Sequence, residues 1–160
     1  MSEKLKKEIF EWIKVFALAI VFAFIITQFI KPTLVRGDSM YSTLEEGDYL
    51  IINRMSYKFK EPERGDIIVF ESDLKQDDGS SKDLVKRVIG VGGDKVKIEN
   101  NKVYVNDEEL NEPYIHNEIT EGDIDTVVPD GAVFVLGDNR EISLDSRYDS
   151  VGFISKSDIL

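Results

Sequence analysis

A chain of 160 residues has room for about one domain and one small extra element. Its formal net charge of −11, with no basic stripe interleaved with aromatics, excludes general nucleic-acid binding, because phosphate contacts need clustered Lys and Arg. The absence of cysteine excludes disulfides, thiolate zinc sites and cysteine nucleophiles. The single histidine, His116, sits in an acid-rich stretch at 112–121 that reads as a solvated loop, and no ligand cluster suggests a metal or other cofactor.

Residues 1–11 are charged, and 12–30 are almost wholly apolar, interrupted by Lys14, Thr27 and Gln28. Nineteen helical residues reach about 28 Å, close to the hydrocarbon thickness of a bilayer. Lys14 can snorkel to the headgroups along its methylene stem. Lys31-Pro32 is expected to stop the helix. No small-x-small cleavage site follows, so 12–30 is expected to be a retained single-pass anchor in the plasma membrane, not a cleaved leader. Lys4, Lys6, Lys7 and Lys14 precede or open the run, against Lys31 and Arg36 after it. The positive-inside bias then places the 1–11 tail in the cytoplasm and 31–160 outside as one extracytoplasmic β domain.

From Thr33 onward the pattern is that of short strands. Residues 49–53 (YLIIN), 66–70 (DIIVF), 84–91, 95–98 and 132–136 (AVFVL) are rich in Val, Ile and Phe and bounded by Gly, Asp or Asn. Asn100 and Asn101 tolerate positive φ and suit a hairpin turn between 95–98 and the VYV that follows. The expected fold class is mostly β, a barrel or sandwich behind one N-terminal transmembrane helix. The polar stretches 71–83 and 111–125 read as loops or a hairpin excursion. Tyr41, Met55, Tyr57 and Phe59 read either as core or as residues that dip into the outer leaflet around the site, with core the expectation for most of them.

Three segments could carry chemistry: VRGDSMYSTL at 35–44, KRVIGVGGD at 86–94 and GDNREISLDSRYDSVG at 137–152. A serine hydroxyl needs a base to become a useful nucleophile, and a lysine can be that base if burial lowers its pKa. Lys86 lies among Leu84, Val85, Val88 and Ile89, and on a strand Lys86 and Arg87 would point to opposite faces, one inward and one outward. Taken alone, a lysine on an edge strand is the plainer reading. Arg36-Gly37-Asp38 spells an adhesion tripeptide, but three residues match by chance too often to weigh against its place inside the first segment. Asp123, Asp125 and Asp130 lack the regular spacing of a calcium loop.

Together and in order, the three segments resemble the signature segments of the type I signal peptidase family, in its short, single-anchor bacterial form. The family patterns run approximately S/G-x-S-M-x-P-T-L, K-R-V-I-G-x-P-G-D and G-D-N-R-x-x-S-x-D-S-R-x-x-G, and the likeness extends from Trp12 onward. The resemblance implies a membrane-bound serine endopeptidase that cuts signal peptides from exported preproteins after small side chains. It needs no cofactor and is expected to act as a monomer at the lipid bilayer. It implies Ser39 as nucleophile, Lys86 as general base and Ser143 as the hydroxyl that bonds and orients the lysine. Asp145 and Arg147 become a supporting charged pair. Gly137, Asp138, Asn139 and Arg140 become the loop that shapes the site, Met40 the apolar residue packed beneath it, and Arg87 a structural neighbour. The sequence departs from the pattern at Ser42 and Gly92, where the family has proline, and Gly37 supplies no side-chain donor to an oxyanion. Leu160 follows the third segment sooner than the family pattern implies, which leaves the completeness of the barrel open. The competing reading is a bitopic β-domain binding module without catalysis; a self-cleaving repressor-type Ser/Lys protease fits worse, for want of a DNA-binding segment.

Overall fold

A computed structural model describes residues 3–76, 78–115 and 119–160. Helix α1 (Glu3–Phe29) has no buried residue, and its apolar side chains all face outward. It is long enough, at 27 residues, to cross a bilayer. The helix opens among the charges of the N-terminal stretch rather than at Trp12. It ends at Phe29 because the chain passes directly into strand β1 (Ile30–Leu34), where Pro32 sits in an edge strand that needs no N–H from it. Strand β2 (Tyr49–Asn53) pairs antiparallel with β1, Pro32 opposite Ile51. The short helix α2 (Ser56–Phe59) follows. Tyr57 is half-buried there, but Phe59 is 84% exposed, so the expectation of core fails for it: a one-turn helix can turn only one side inward.

The body is built from β3 (Ile67–Lys75), β4 (Ser81–Val91), β5 (Lys95–Glu99), β6 (Lys102–Val105), β7 (Glu108–Glu109), β8 (Ile124–Val127), β9 (Ala132–Leu136) and β10 (Ile154–Ser155). One sheet runs β10-β9-β4-β3 and another β7-β6-β5-β8. The stretch 71–83 is not a loose insertion: Glu71 pairs with Asp83 and Ser72 with Lys82, which extends the β3–β4 hairpin. Asn100 (φ 52°) and Asn101 (φ 64°) make the β5–β6 turn as their tolerance of positive φ predicts, and Asn106 with Asp107 repeats the device before β7. The Leu160 N–H donates to Val69 O, and Ile159 bridges to Phe70, so the last residues lie along β3.

Strands β4 and β9 are buried on both faces. Ile89, Phe134 and Leu136 join Val96, Ile98 and Val103 in one core. On the opposite face Val88, Val133 and Val135 join Ile68, Phe70 and Ile154 in a second. Each such side chain contributes about 1.5–3 kcal/mol by leaving water. Side chains alternate along a strand, so Lys86, two before Val88 and registered opposite Ile68, comes out on the second core's face.

Candidate active site

Two loops converge on the middle of strand β4. The first is the turn that holds Ser39. Gly37 (φ 81°) reverses the chain after β1, Tyr41 N–H returns to Asp38 O (3.1 Å), and Leu44 N–H to Met40 O (2.9 Å). Met40, the residue after Ser39, is 1% exposed. Strand β4 carries Lys86 at its middle. The second loop runs from Gly137 to Arg147 and docks against the first: Asn139 N–H donates to Ser39 O (3.1 Å), and Ser143 N–H to Asn139 O (3.1 Å).

Lys86 is 2% exposed, and its Nζ donates to Ser39 Oγ at 2.7 Å and to Val85 O at 2.9 Å. Burial, which penalises the ammonium, pulls its pKa from 10.5 down to about 8; the Asp145 charge opposes this, and Lys82 assists it. Asp145 is fully buried and bonded to Arg147 through both carboxylate oxygens, with Arg147 Nε to Oδ1 at 2.9 Å and Nη2 to Oδ2 at 3.0 Å. Asp145 Oδ2 also accepts the Gly137 N–H (3.1 Å), which fixes the start of the second loop.

Arg87 was expected to point outward. It does leave on the face opposite Lys86, but its side chain is only 11% exposed. Asp138, fully buried, takes it through Nε (2.8 Å) and Nη2 (2.6 Å), and the same carboxylate accepts the Thr43 hydroxyl from the nucleophile turn. Ser143 is buried close to Gly137, yet the expected bond to Lys86 is not formed: Ser143 Oγ has no hydrogen-bond partner among the described residues, and the amine bonds Ser39 and Val85 instead. Gly137 is where the packing is tightest. A Cβ there would lie 2.2 Å from Ser143 Oγ and 2.5 Å from Ser39 O. At Gly92, one of the departures from proline, a Cβ would stand 3.1 Å from Asp130 Cα and 3.2 Å from Pro129 O, a tight fit against the 129–131 backbone.

A cleft of about 520 Å³ leads to the Ser39–Lys86 pair. One wall is Leu34, Val35 and Leu50 from the anchor-proximal hairpin, and the other includes Leu84, Val85 and Ile142. On the second wall β4 offers a strand edge. Pairing with β9 starts only at Arg87, so among the described residues 82–86 have a strand partner on the β3 side alone. Along the stretch read as solvated loop, Glu112 and Thr120 are in fact turned inward: Thr120 is 1% exposed, and the Glu112 side chain 7%. Sequence reasoning missed them because acids dominate that stretch; the Pro113-Tyr114-Ile115 run inside it was the available signal. His116 lies outside the described residues. No group of three or more metal-ligating side chains occurs among those described.

Residues 9–160 match a family model described as signal peptidase, peptidase S26. Among curated relatives, signal peptidase IB of Staphylococcus aureus (strain COL) is 39% identical over 175 residues, which cover 98% of this chain and 87% of the relative. Signal peptidase I of Bacillus licheniformis is 37% identical over 166 residues, covering 97% and 86%. The crystal structure of a signal peptidase I from Enterococcus faecalis V583 superposes with a TM-score of 0.51 at 33% identity, covering 62% of this chain and 94% of that one.

Proposed function

Since the chain belongs to the signal peptidase family, peptidase S26, and is therefore a peptidase acting on signal peptides, we propose that it does so with Ser39 as nucleophile and Lys86 as general base. The observation that carries this reading is the 2.7 Å contact between Lys86 Nζ and Ser39 Oγ, made by an amine that is 2% exposed. An amine with a pKa near 8 is neutral in roughly a tenth of molecules at pH 7, against well under one in a thousand at 10.5. Neutral Lys86 takes the Ser39 proton as Oγ attacks the scissile carbonyl. The lysine then gives that proton to the departing amine and draws one from the water that hydrolyses the acyl-enzyme. The Ser39 N–H helps to hold the oxyanion; Gly37 contributes no hydroxyl. Ser143 supplies a second hydroxyl for the amine once Ser39 is acylated, and so relieves a buried polar atom left without a partner at rest.

The preprotein lies extended in the cleft and adds a strand to the free edge of 82–86, with small side chains before the cut facing the site. Helix α1 is the single membrane anchor, with the N-terminus cytoplasmic and the β domain outside, as the lysines at its start favour. The passage from α1 into β1 without a linker, with β1 lining the cleft, supports a site close to where a membrane-bound signal peptide emerges. The reading is tested with purified protein in detergent and a preprotein substrate. Ser39→Ala and Lys86→Ala should each abolish cleavage, whereas processing by either variant at the wild-type rate would refute the assignment. A binding module would show no cleavage even as wild type.

A further inference from the structure

We propose that Glu112 and Tyr114 are positioning residues for the reaction, forming a strap that holds the loop behind Ser39 in register with the strand behind Lys86. The inference rests on the Ser39/Lys86 reading and deepens it. Neither residue lies in the three signature segments, and neither touches the reacting atoms. Each instead holds a cation that stands directly behind one half of the pair.

On the Ser39 side the cation is Arg140, whose side chain is 1% exposed. Its Nε donates to Gly137 O (2.9 Å), Nη1 donates to Glu112 Oε2 (3.0 Å) and to the Thr120 hydroxyl, and Nη2 donates to Glu112 Oε1. Arg140 therefore clamps the loop whose Asn139 N–H holds Ser39 O. A bidentate carboxylate pair is the strong, directional form of such an interaction. On the Lys86 side the cation is Arg87, the next residue along β4. Tyr114 lies over its guanidinium, with Arg87 Cζ 3.9 Å from the ring centroid. The two halves of the strap are tied together, since Tyr114 Oη donates to Glu112 Oε1 at 3.1 Å.

Two residues apart in sequence, Glu112 and Tyr114 thus join the two elements that set the Ser39–Lys86 distance. Arg87 is also bonded to Asp138 in the 137–147 loop, so the strap is a second tie across the same gap. Proton transfer tolerates little slack, and a displacement of about 1 Å can reduce rate about 100-fold. Removing Glu112 would also leave the Arg140 charge buried and unpaired.

The test uses the full chain in detergent micelles with an internally quenched peptide spanning a signal-peptide cut, alanines before the scissile bond. Glu112→Gln removes the charge at nearly constant shape. Tyr114→Leu removes the ring over Arg87, and Tyr114→Phe keeps it. Thermal melting by circular dichroism runs in parallel, with Ser39→Ala as the blank. Glu112→Gln and Tyr114→Leu should lower kcat roughly 10- to 100-fold with KM changed by less than about twofold, and Tyr114→Phe should restore most of kcat. Wild-type kcat in folded Tyr114→Leu, or a loss that appears in KM alone, would overturn the strap. Should Glu112→Gln fail to fold, the Tyr114 pair decides by the same criteria. Activity in Ser39→Ala would strike at the nucleophile assignment instead, whereas an inactive Ser39→Ala beside fully active strap variants would reject the strap and leave that assignment standing.

Discussion

Lys86 and Ser39, 47 residues apart in sequence, meet at 2.7 Å because one occupies the core face of β4 and the other a turn whose carbonyl is gripped by Asn139. The amine reaches the hydroxyl from a face shared with Val88 and Ile68, which shields it from water. The same apolar surroundings that supply the second core thus make a lysine into a base.

That shielding opposes folding. An unfolded chain holds the Lys86 proton up to about pH 10.5, whereas the folded chain gives it up near 8. Below pH 8 the folded protein carries a poorly solvated ammonium, and stability rises as pH climbs from 8 to 10.5. Lys86→Met should therefore stabilise by roughly 3 kcal/mol below pH 8, a Tm gain of about 5–10 °C, with the advantage vanishing toward pH 10.5. Circular-dichroism melts at pH 7 and pH 10 measure this; a variant less stable than wild type at pH 7 contradicts it.

Gly137 and Gly90 separate packing from catalysis. A Cβ at Gly137 would press on the Ser39 carbonyl at 2.5 Å, whereas one at Gly90 would meet Val96 Cγ2 at 2.6 Å in the first core. Each Gly→Ala change should destabilise by about 1–3 kcal/mol. Only Gly137→Ala should also lower kcat, by about 100-fold, because it moves the nucleophile turn. Parallel melts and peptide-cleavage rates check the contrast, which equal kcat values in the two variants would remove.

Asp138 is fully buried, and its carboxylate joins Arg87 to Thr43. Asp138→Ala should destabilise by about 3–5 kcal/mol, since it strands a nearly buried guanidinium. Lys102→Ala breaks an exposed pair with Glu109 and should change stability by less than about 1 kcal/mol. Urea unfolding of both variants gives the comparison, and similar midpoints would argue against a structural role for the Asp138 node.

The strands were readable where β-branched runs met Gly or Asn: 132–136 is nearly continuous apolar sequence because β9 is buried on both faces, whereas 49–53 was readable from composition alone, since β2 leaves Tyr49 and Ile51 exposed. Asn100 and Asn101 marked their hairpin for the same local reason. Strand β1 was not readable: Lys31-Pro32 signals a helix stop, and only pairing with β2 makes the next residues a strand. Strand β8 hid among acids because its exposed positions alternate with partly buried ones. At the site, Ser39, Lys86 and the third segment could be picked out from motif order, but the burial that lowers the Lys86 pKa could not. Glu112 and Tyr114 escaped because their partners, Arg140 and Arg87, are supplied by distant parts of the chain. Phe59 shows the converse failure, an aromatic left exposed because nothing folds over a one-turn helix.

The pH dependence of kcat/KM for peptide cleavage by the wild-type chain in detergent, with Lys86→Met beside it, bears most directly on the Ser39/Lys86 account. The account predicts a rise governed by one ionisation with a midpoint near 8, and no cleavage by Lys86→Met at any pH. A profile flat from about pH 6 to 9, or cleavage surviving in Lys86→Met, would contradict it.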